Sequence, residues 1–277
     1  RFDVLHVQDP MVAYWCRRWG PGDTSVILAN GTDEDAGFLS RMEFVQELTP
    51  YHLERNAGGG AGHRRFMIPN FIDTSRFGPL DRLAARKSLG IQPNAFVVLT
   101  AGAVNSQRKR TDVLVHEFAA SRREDSVLVV AGVFEGSDGR RIIREAGDML
   151  GPRFLSLENR QRQDMPGLYA AADLFVLCSL EEVFGIVFLE AMACGVPCVG
   201  HTFPPTEWVI GAGGSRVDMT KKGALAAEIE AYAANEALRK QRGAAARERV
   251  ETMFSKDVVV DRLVAMYEEI GKNRYAS

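Results

Sequence analysis

No apolar run in this chain approaches the roughly 20 residues that a membrane-spanning helix needs, and no signal peptide is visible at its start. The expectation is therefore a cytoplasmic protein. Cysteine is scarce: Cys16, Cys178, Cys194 and Cys198 fit reduced, buried thiols rather than a disulfide framework. Cys194 and Cys198 have C-x3-C spacing but no companion His or Cys cluster, which favours core packing over metal binding. A strong excess of one charge is also missing. The net charge of −2 removes the electrostatic reason to expect nucleic acid as a partner. The Gly-rich run 58–62 precedes a strand and lacks the Lys-Ser/Thr of a phosphate-binding P-loop, so it reads as a flexible loop.

With 46% apolar and 25% charged residues, the 277-residue chain has the make-up of a soluble globular protein with one large or two small domains. Residues 3–7 read as a strand with Asp9-Pro10 as its exit turn. Apolar segments follow at 25–29 and 42–48, then a helix-like 49–56. Further on, strands are expected near 96–102, 126–131, 154–157, 174–178 and 197–200. Helices are expected near 111–122, 138–149, 164–171, 187–194 and 222–233. This alternation is that of a parallel sheet covered on both faces, whose ligands bind outside the carboxyl ends of the strands. The stretch 237–254 reads as a charged amphipathic helix with a solvated polar face, and 256–270 carries a helical apolar stripe.

The segment 181–195 reads EEVFGIVFLEAMACG, with Glu182 and Glu190 eight positions apart on either side of Gly185. It follows the apolar run 174–177 and leads into a helix beginning near Ile186 or Val187. A strand, a sharp turn and a helix in that order aim backbone N–H groups and the positive helix end at one point, where a phosphate can sit without a metal. Glu190, about one turn into the helix, offers an acceptor-only group suited to a pair of ribose hydroxyls, while Glu182 faces whatever lies beyond the phosphates. A cationic turn, SQRKRT at 106–111, lies between a strand and a helix. Lys109 or Arg108 in such a turn could hold an anionic group. The plain alternative is a solvated basic loop.

The Glu182–Glu190 arrangement resembles the E-x7-E motif of retaining GT-B glycosyltransferases of family 4, the glycosyl transferases group 1. Four flanking segments resemble the same family in collinear order: FMIPNFIDTSRF (66–77), VVLTAGAVNSQRKRTDVLV (97–115), DMPGLYAAADLFVLCS (164–179) and GVPCVG (195–200). The resemblance covers most of 66–272. It implies an α/β fold of GT-B type, with a doubly wound, Rossmann-like C-terminal domain at 67–255. A partial Rossmann-like N-terminal domain at 1–66 would correspond to the second half of the family's acceptor-side domain, with a helix at 256–277 packing back on it. Whether the chain is a fragment or naturally short is open on these residues.

The same resemblance implies transfer of a sugar from a nucleotide diphosphate sugar to an acceptor hydroxyl with retention of configuration. A UDP-sugar is favoured as donor, with GDP- and ADP-sugars as alternatives; no metal or other cofactor is expected, and the acceptor is unidentified. Catalytic roles would fall to Glu182 and Lys109. Donor contacts would come from Arg108, Lys109, Phe184, Gly185, Ile186, Val187 and Glu190; Arg160 and Arg162 are candidates for the base, although plain surface charge weighs slightly more for both. There are departures. Ala103 stands where the family has an Arg six positions before the Lys matched by Lys109. Gln8 replaces the second His of an H-x-H strand whose first His is His6; Gln can bond a sugar hydroxyl but cannot act as acid or base. His6, on the same face of the strand as Gln8, is a candidate for the sugar or acceptor side, although a packed and hydrogen-bonded core histidine weighs more. In the loop 201–208, Pro204 and Pro205 replace glycines as a rigid turn, and Glu207 matches a sugar-side Glu. Asp33-Glu34-Asp35 satisfies the D-x-D metal motif of the GT-A fold but comes too early in the chain, and reads as loop acidity. Trp15, Arg17, Arg18 and Trp19 allow for peripheral membrane contact, although local packing weighs more. Ala103, Gln8 and the short N-terminal part favour the alternative of a non-catalytic sugar-nucleotide-binding protein or supporting subunit. Phosphorylase- or epimerase-like chemistry on the same scaffold is a weaker alternative.

Overall fold

The computed structural model describes residues 2–57, 64–121 and 123–275; the Gly-rich run at 58–62 lies outside them. The chain divides into two compact units, Arg1–Phe71 with Met253–Ser277, and Ile72–Thr252.

The first unit holds a parallel sheet in the order β1-β2-β3-β4, formed by Val4–Val7, Ser25–Ala29, Phe44–Glu47 and Arg64–Met67. Helices α1 (Pro10–Trp19), α2 (Ala36–Leu39) and α3 (Pro50–Arg55) connect successive strands. Asp9-Pro10 is a helix start rather than a mere exit turn. The Asp9 carboxylate accepts the Val12 N–H at 2.8 Å, and Pro10 occupies a position whose N–H would have had no helical partner. Thr49 and Pro50 open α3 in the same way. One face of the sheet buries Ile27, Phe44 and Ile68 against Val259, Met266 and Ile270 of the C-terminal helix Lys256–Tyr275.

The second unit is built on a six-stranded parallel sheet. Its strands are β5 (Phe96–Ala101), β6 (Ser126–Gly132), β7 (Phe154–Glu158), β8 (Leu174–Val176), β9 (Cys198–His201) and β10 (Gly214–Val217). They lie in the order β10-β9-β8-β5-β6-β7. The chain steps outward from β5 to β7 and then returns past β5 to lay down β8, β9 and β10. This is the doubly wound order, and β5 next to β8 marks its switch point. Helices α4 (Arg82–Ser88), α5 (Thr111–Ala120), α6 (Gly136–Leu150), α7 (Met165–Ala171), α8 (Ile186–Ala193), α9 (Pro204–Ile210), α10 (Ala224–Ala234) and α11 (Glu236–Arg249) cover the sheet. All six residues of β5 are buried, as an unbroken apolar run covered on both faces must be. Val98, Leu128, Val130 and Leu174 pack with Leu114 and Phe118 of α5, Ile142 of α6 and Ile229 of α10. Glu117 holds α10 in place, its buried carboxylate accepting the Gly223 and Ala226 N–H groups at 2.8 and 3.0 Å, where the positive helix end favours an anion.

Two further expectations are corrected. Residues 204–210 form α9 instead of a rigid turn, because prolines at the first two helical positions lose no hydrogen bond and Thr206, Val209 and Ile210 are buried by coiling. The polar side of 237–254 is not simply solvated. Arg242 donates to the Ala212 carbonyl at 3.1 Å, and Arg239 to the Tyr232 and Ala233 carbonyls at the end of α10. Arg247 reaches the Ala193 carbonyl at the end of α8 and that of Phe77; Arg249 reaches those of Trp208 and Val209 in α9. Apart from the Phe77 contact, these guanidiniums satisfy carbonyls that the ends of helices leave without partners.

Replacing Arg247 by Met should lower the unfolding free energy by about 1–3 kcal/mol, the range for removing charged donors from part-buried carbonyls. Lys240→Met, which removes only an exposed pair with Glu236, should change it by less than about 0.5 kcal/mol in the same urea titration.

Two histidines make the first unit sensitive to acid. His52 is 1% exposed and bonds the Thr49 hydroxyl at 2.6 Å; burial holds its pKa below 6.5 against the raising effect of Asp33, while Arg55 adds to the lowering. Burial likewise lowers His6, whose Nδ1 bonds the Tyr267 hydroxyl at 2.7 Å, with Gln46 opposing. Unfolded histidines take up protons near pH 6.5 while these two resist, so their contribution is complete above that pH and is lost as pH falls toward the lower native values. Thermal unfolding should show decreasing stability between pH 7.5 and 5.5, with a shallower slope in His52→Gln.

Candidate functional site

The loops leaving the carboxyl ends of β5 and β8 converge on a cavity of about 370 Å³, lined by 107–110 from one and 180–183 from the other. This is the crevice that the switch point creates.

The first loop is fixed by a side chain that the sequence did not single out. Asn105, 7% exposed, accepts the Arg108 and Lys109 N–H groups on its Oδ1, both at 2.8 Å, and donates from Nδ2 to Glu135 at 2.7 Å. Ser106 is tied through its N–H and hydroxyl to Asp138 at 2.8 and 2.9 Å. Arg110 takes a left-handed conformation at the start of α5, and its Nη1 reaches the Met219 carbonyl at 3.3 Å. Arg108, Lys109 and Arg110 thus project from a backbone already ordered by side-chain acceptors. An Asx-type turn of this kind was legible only as one Asn ahead of the basic run.

On the second loop, Glu182 forms an ion pair with Lys109 across the cavity, their side chains 14% and 20% exposed. Two predicted residues from opposite halves of the sheet are thereby brought together. Gly185 then turns the chain with φ 76°, and a Cβ there would lie 2.7 Å from Phe188 Cδ2, so both the backbone angle and the space require glycine. Helix α8 starts at Ile186 with no side chain capping its first N–H groups, leaving those of Ile186 and Val187 available to an anion. Phe184 is 2% exposed and its ring packs edge-on against Trp208, so only its backbone can serve a ligand.

Glu190 does not line the Lys109 cavity. It is 7% exposed and accepts the Tyr169 hydroxyl at 2.8 Å, with Arg162 3.9 Å away. Burial raises its carboxyl pKa, while Tyr169, Arg162 and Arg76 pull it back. Tyr169 was missed in the sequence, although a fully buried tyrosine needs a partner for its hydroxyl. Arg160 is exposed.

In the first unit, Gln8 lines a cavity of about 210 Å³ with Thr32 and Asn70 at the carboxyl ends of the strands. His6 is bonded to Tyr267 instead. Glu207 is exposed on the first turn of α9. Asp33 pairs with Arg55 and His52, and Asp35 caps α2 at 2.8 Å, which engages both outer carboxylates of the D-x-D run. All four cysteines are free, and burial pushes the Cys178 and Cys194 thiols up to about 12. Trp15 and Trp19 are exposed on α1; among the described residues no helix is long and apolar enough to cross a membrane.

Residues 81–249 match the family model of glycosyl transferases group 1. The chain belongs to that family. It is 36% identical over 181 residues to D-inositol 3-phosphate glycosyltransferase 2 of Catenulispora acidiphila, covering 61% of this chain and 42% of the relative. To D-inositol 3-phosphate glycosyltransferase of Geodermatophilus obscurus it is 31% identical over 233 residues, 79% of this chain and 50% of the relative. The chain thus spans half or less of the length of these curated relatives. Sucrose-phosphate synthase from Thermosynechococcus elongatus superposes with a TM-score of 0.84 at 21% identity, over 97% of this chain and 73% of that one. HepE of Anabaena, in complex with UDP-glucose, does so with a TM-score of 0.80 at 18% identity, over 99% and 79%. The α/β fold of this group 1 glycosyl transferase chain is of GT-B type.

In this family member, Gly185→Ala should strain the turn and drive the new methyl into Phe188. The expected cost is about 1–3 kcal/mol in urea unfolding, with loss of any anion binding at the start of α8 by calorimetry. Unchanged stability would show that the turn tolerates a side chain.

Proposed function

We propose that the chain binds a nucleoside diphosphate sugar, with UDP favoured, and transfers its sugar to an acceptor hydroxyl with retention and without a metal. One observation carries the reading: Lys109 and Glu182 meet at the switch-point cavity close in sequence to the uncapped start of α8. On donor binding, Lys109 exchanges the Glu182 carboxylate for the diphosphate oxygens, which the Ile186 and Val187 N–H groups also meet. Glu182, relieved of its cation, accepts from a sugar hydroxyl. Glu190, oriented by the Tyr169 hydroxyl, accepts from the ribose hydroxyls, and Arg162 stands beside it toward the base. As the anomeric C–O bond breaks, its electron pair passes to the diphosphate oxygen. That oxygen takes the acceptor's proton while the acceptor oxygen bonds the anomeric carbon from the same face, giving retention. The protein contributes positioning and charge stabilisation.

The UDP-glucose complex of HepE supports the choice of nucleotide, and the names of the curated relatives make D-inositol 3-phosphate a first acceptor to assay. Gln8, in its own cavity at the ends of the first sheet, suits hydrogen bonding to a sugar hydroxyl. A second reading, a sugar-nucleotide-binding protein supporting a catalytic partner, is favoured by Ala103, which removes one cation from the phosphate loop, and by Gln8.

Calorimetry with UDP should give the same affinity with and without a chelator; loss on chelation refutes metal-free binding. Glu182→Gln should bind UDP at least as tightly as the parent because Lys109 is released, whereas Glu190→Gln should bind about tenfold more weakly, a charged hydrogen bond being lost. In an active form, Lys109→Ala should lower kcat on the order of a hundredfold with little change in KM. Arg108→Ala shows whether Arg108 stands in for the cation absent at Ala103. Turnover intact in both variants would return the basic run to a solvated loop.

A further inference from the structure

We propose that the second unit carries another anion site, at the amino ends of its strands, where Arg82, Arg86 and Arg239 surround Asp173 and take a phosphorylated small molecule. The place is set by topology. Asp173 directly precedes β8, Phe96 opens β5 and Pro197 precedes β9, and all three border a cavity of about 460 Å³. The Lys109 cavity lies at the opposite ends of β5 and β8. A cavity of this volume falls in the roughly 300–1,000 Å³ range of small-molecule sites, ample for a sugar phosphate or nucleotide.

The charges do not balance. Arg82 and Arg86 both pair with the Asp173 carboxylate, and Arg239 lies 3.7 Å from it. Asp173 also accepts the Val97 N–H at 2.8 Å, so its oxygens are already engaged. At the rim, Arg123 is matched by Asp125, and Lys240 by Glu236 at 2.7 Å. Three guanidiniums against one carboxylate leave two positive charges in excess, in a concavity where Arg86 and Asp173 are each 1% exposed. Burial lowers the Arg86 pKa, and Arg82 and Arg239 add to the lowering against the opposing pull of Asp173; a bound anion would relieve the same repulsion.

Holding the fold accounts for only part of the cluster. Arg86 ties the Ala171 carbonyl at 3.0 Å and that of Pro93 to Asp173, and Asp173 anchors β5, so this pair is sufficient to join α4, α7 and the sheet. Arg82 adds a cation at the first position of α4 with its side chain 47% exposed. It gives one Nη to Asp173, and its other N–H donors meet no acceptor among the described residues. A planar fork with free donors beside a second guanidinium suits phosphate oxygens better than a lone ammonium would.

The test uses inorganic pyrophosphate as probe and the full 277-residue chain carrying Arg108→Ala and Lys109→Ala, so that the switch-point loop does not compete. Calorimetry should show one saturable site. Adding Arg82→Ala, which leaves the Arg86–Asp173 pair in place, should weaken it at least tenfold, and Arg82→Glu should abolish it, with circular dichroism confirming that both variants are folded. Arg82→Lys, which keeps the charge and loses the fork, should fall between. The proposal is overturned by absence of binding in the Arg108/Lys109 variant, or by equal affinity with Arg, Ala and Glu at position 82.

Discussion

Val98 and Leu99 of β5 pair with Leu174 and Phe175 of β8, and the crevice of the second unit depends on that register. The pairing places side by side two strands that are far apart in sequence and whose following loops leave in opposite directions. A crevice must open between those loops. At the base of the pair, Asp173 exchanges hydrogen bonds with Val97, its N–H donating to the Val97 carbonyl at 2.8 Å while its carboxylate takes the Val97 N–H. Asp173, itself held by Arg86, is thus the clamp that sets the register of the switch point.

At the open end of the same two strands, one ion pair spans the crevice. Lys109 and Glu182 are each partly shielded from solvent, so each lowers the cost of holding the other there while no ligand is present. The support behind them is neutral and rigid. Asn105 organises the backbone of the basic loop, Gly185 turns the chain without a clash, and Tyr169 fixes the buried Glu190. The charged side chains at this end of the strands are thus held by groups whose hydrogen bonds are already satisfied within the protein.

Much of the second unit was legible in the chain because its strands are continuous apolar runs and its helices are regularly spaced between them. The segment 181–195 announced its turn, since glycine between a strand-like run and an apolar helix has few other uses. Asp9-Pro10 and Pro204-Pro205 were misread because proline signals both turns and first helical positions, and only burial of the following residues tells these apart. The arginines of 239–249 looked like a solvated face because periodicity reports which way a residue points, not which carbonyl a long side chain can reach.

The sequence by itself determined the parallel α/β architecture, the Gly185 turn, the order of basic loop and paired glutamates, and membership of a family that its motifs resemble. These are local properties, set by hydrophobic period, backbone angle and charge type within a few residues. Only the tertiary structure decided that Lys109 meets Glu182, that Glu190 answers to Tyr169, that His6 is engaged by Tyr267 while Gln8 lines a cavity, and that three arginines gather on Asp173. Those partners are separated by tens to hundreds of residues. Their meeting follows from strand order and helix packing, which bring distant chain segments together by burying surface that no short window of sequence contains.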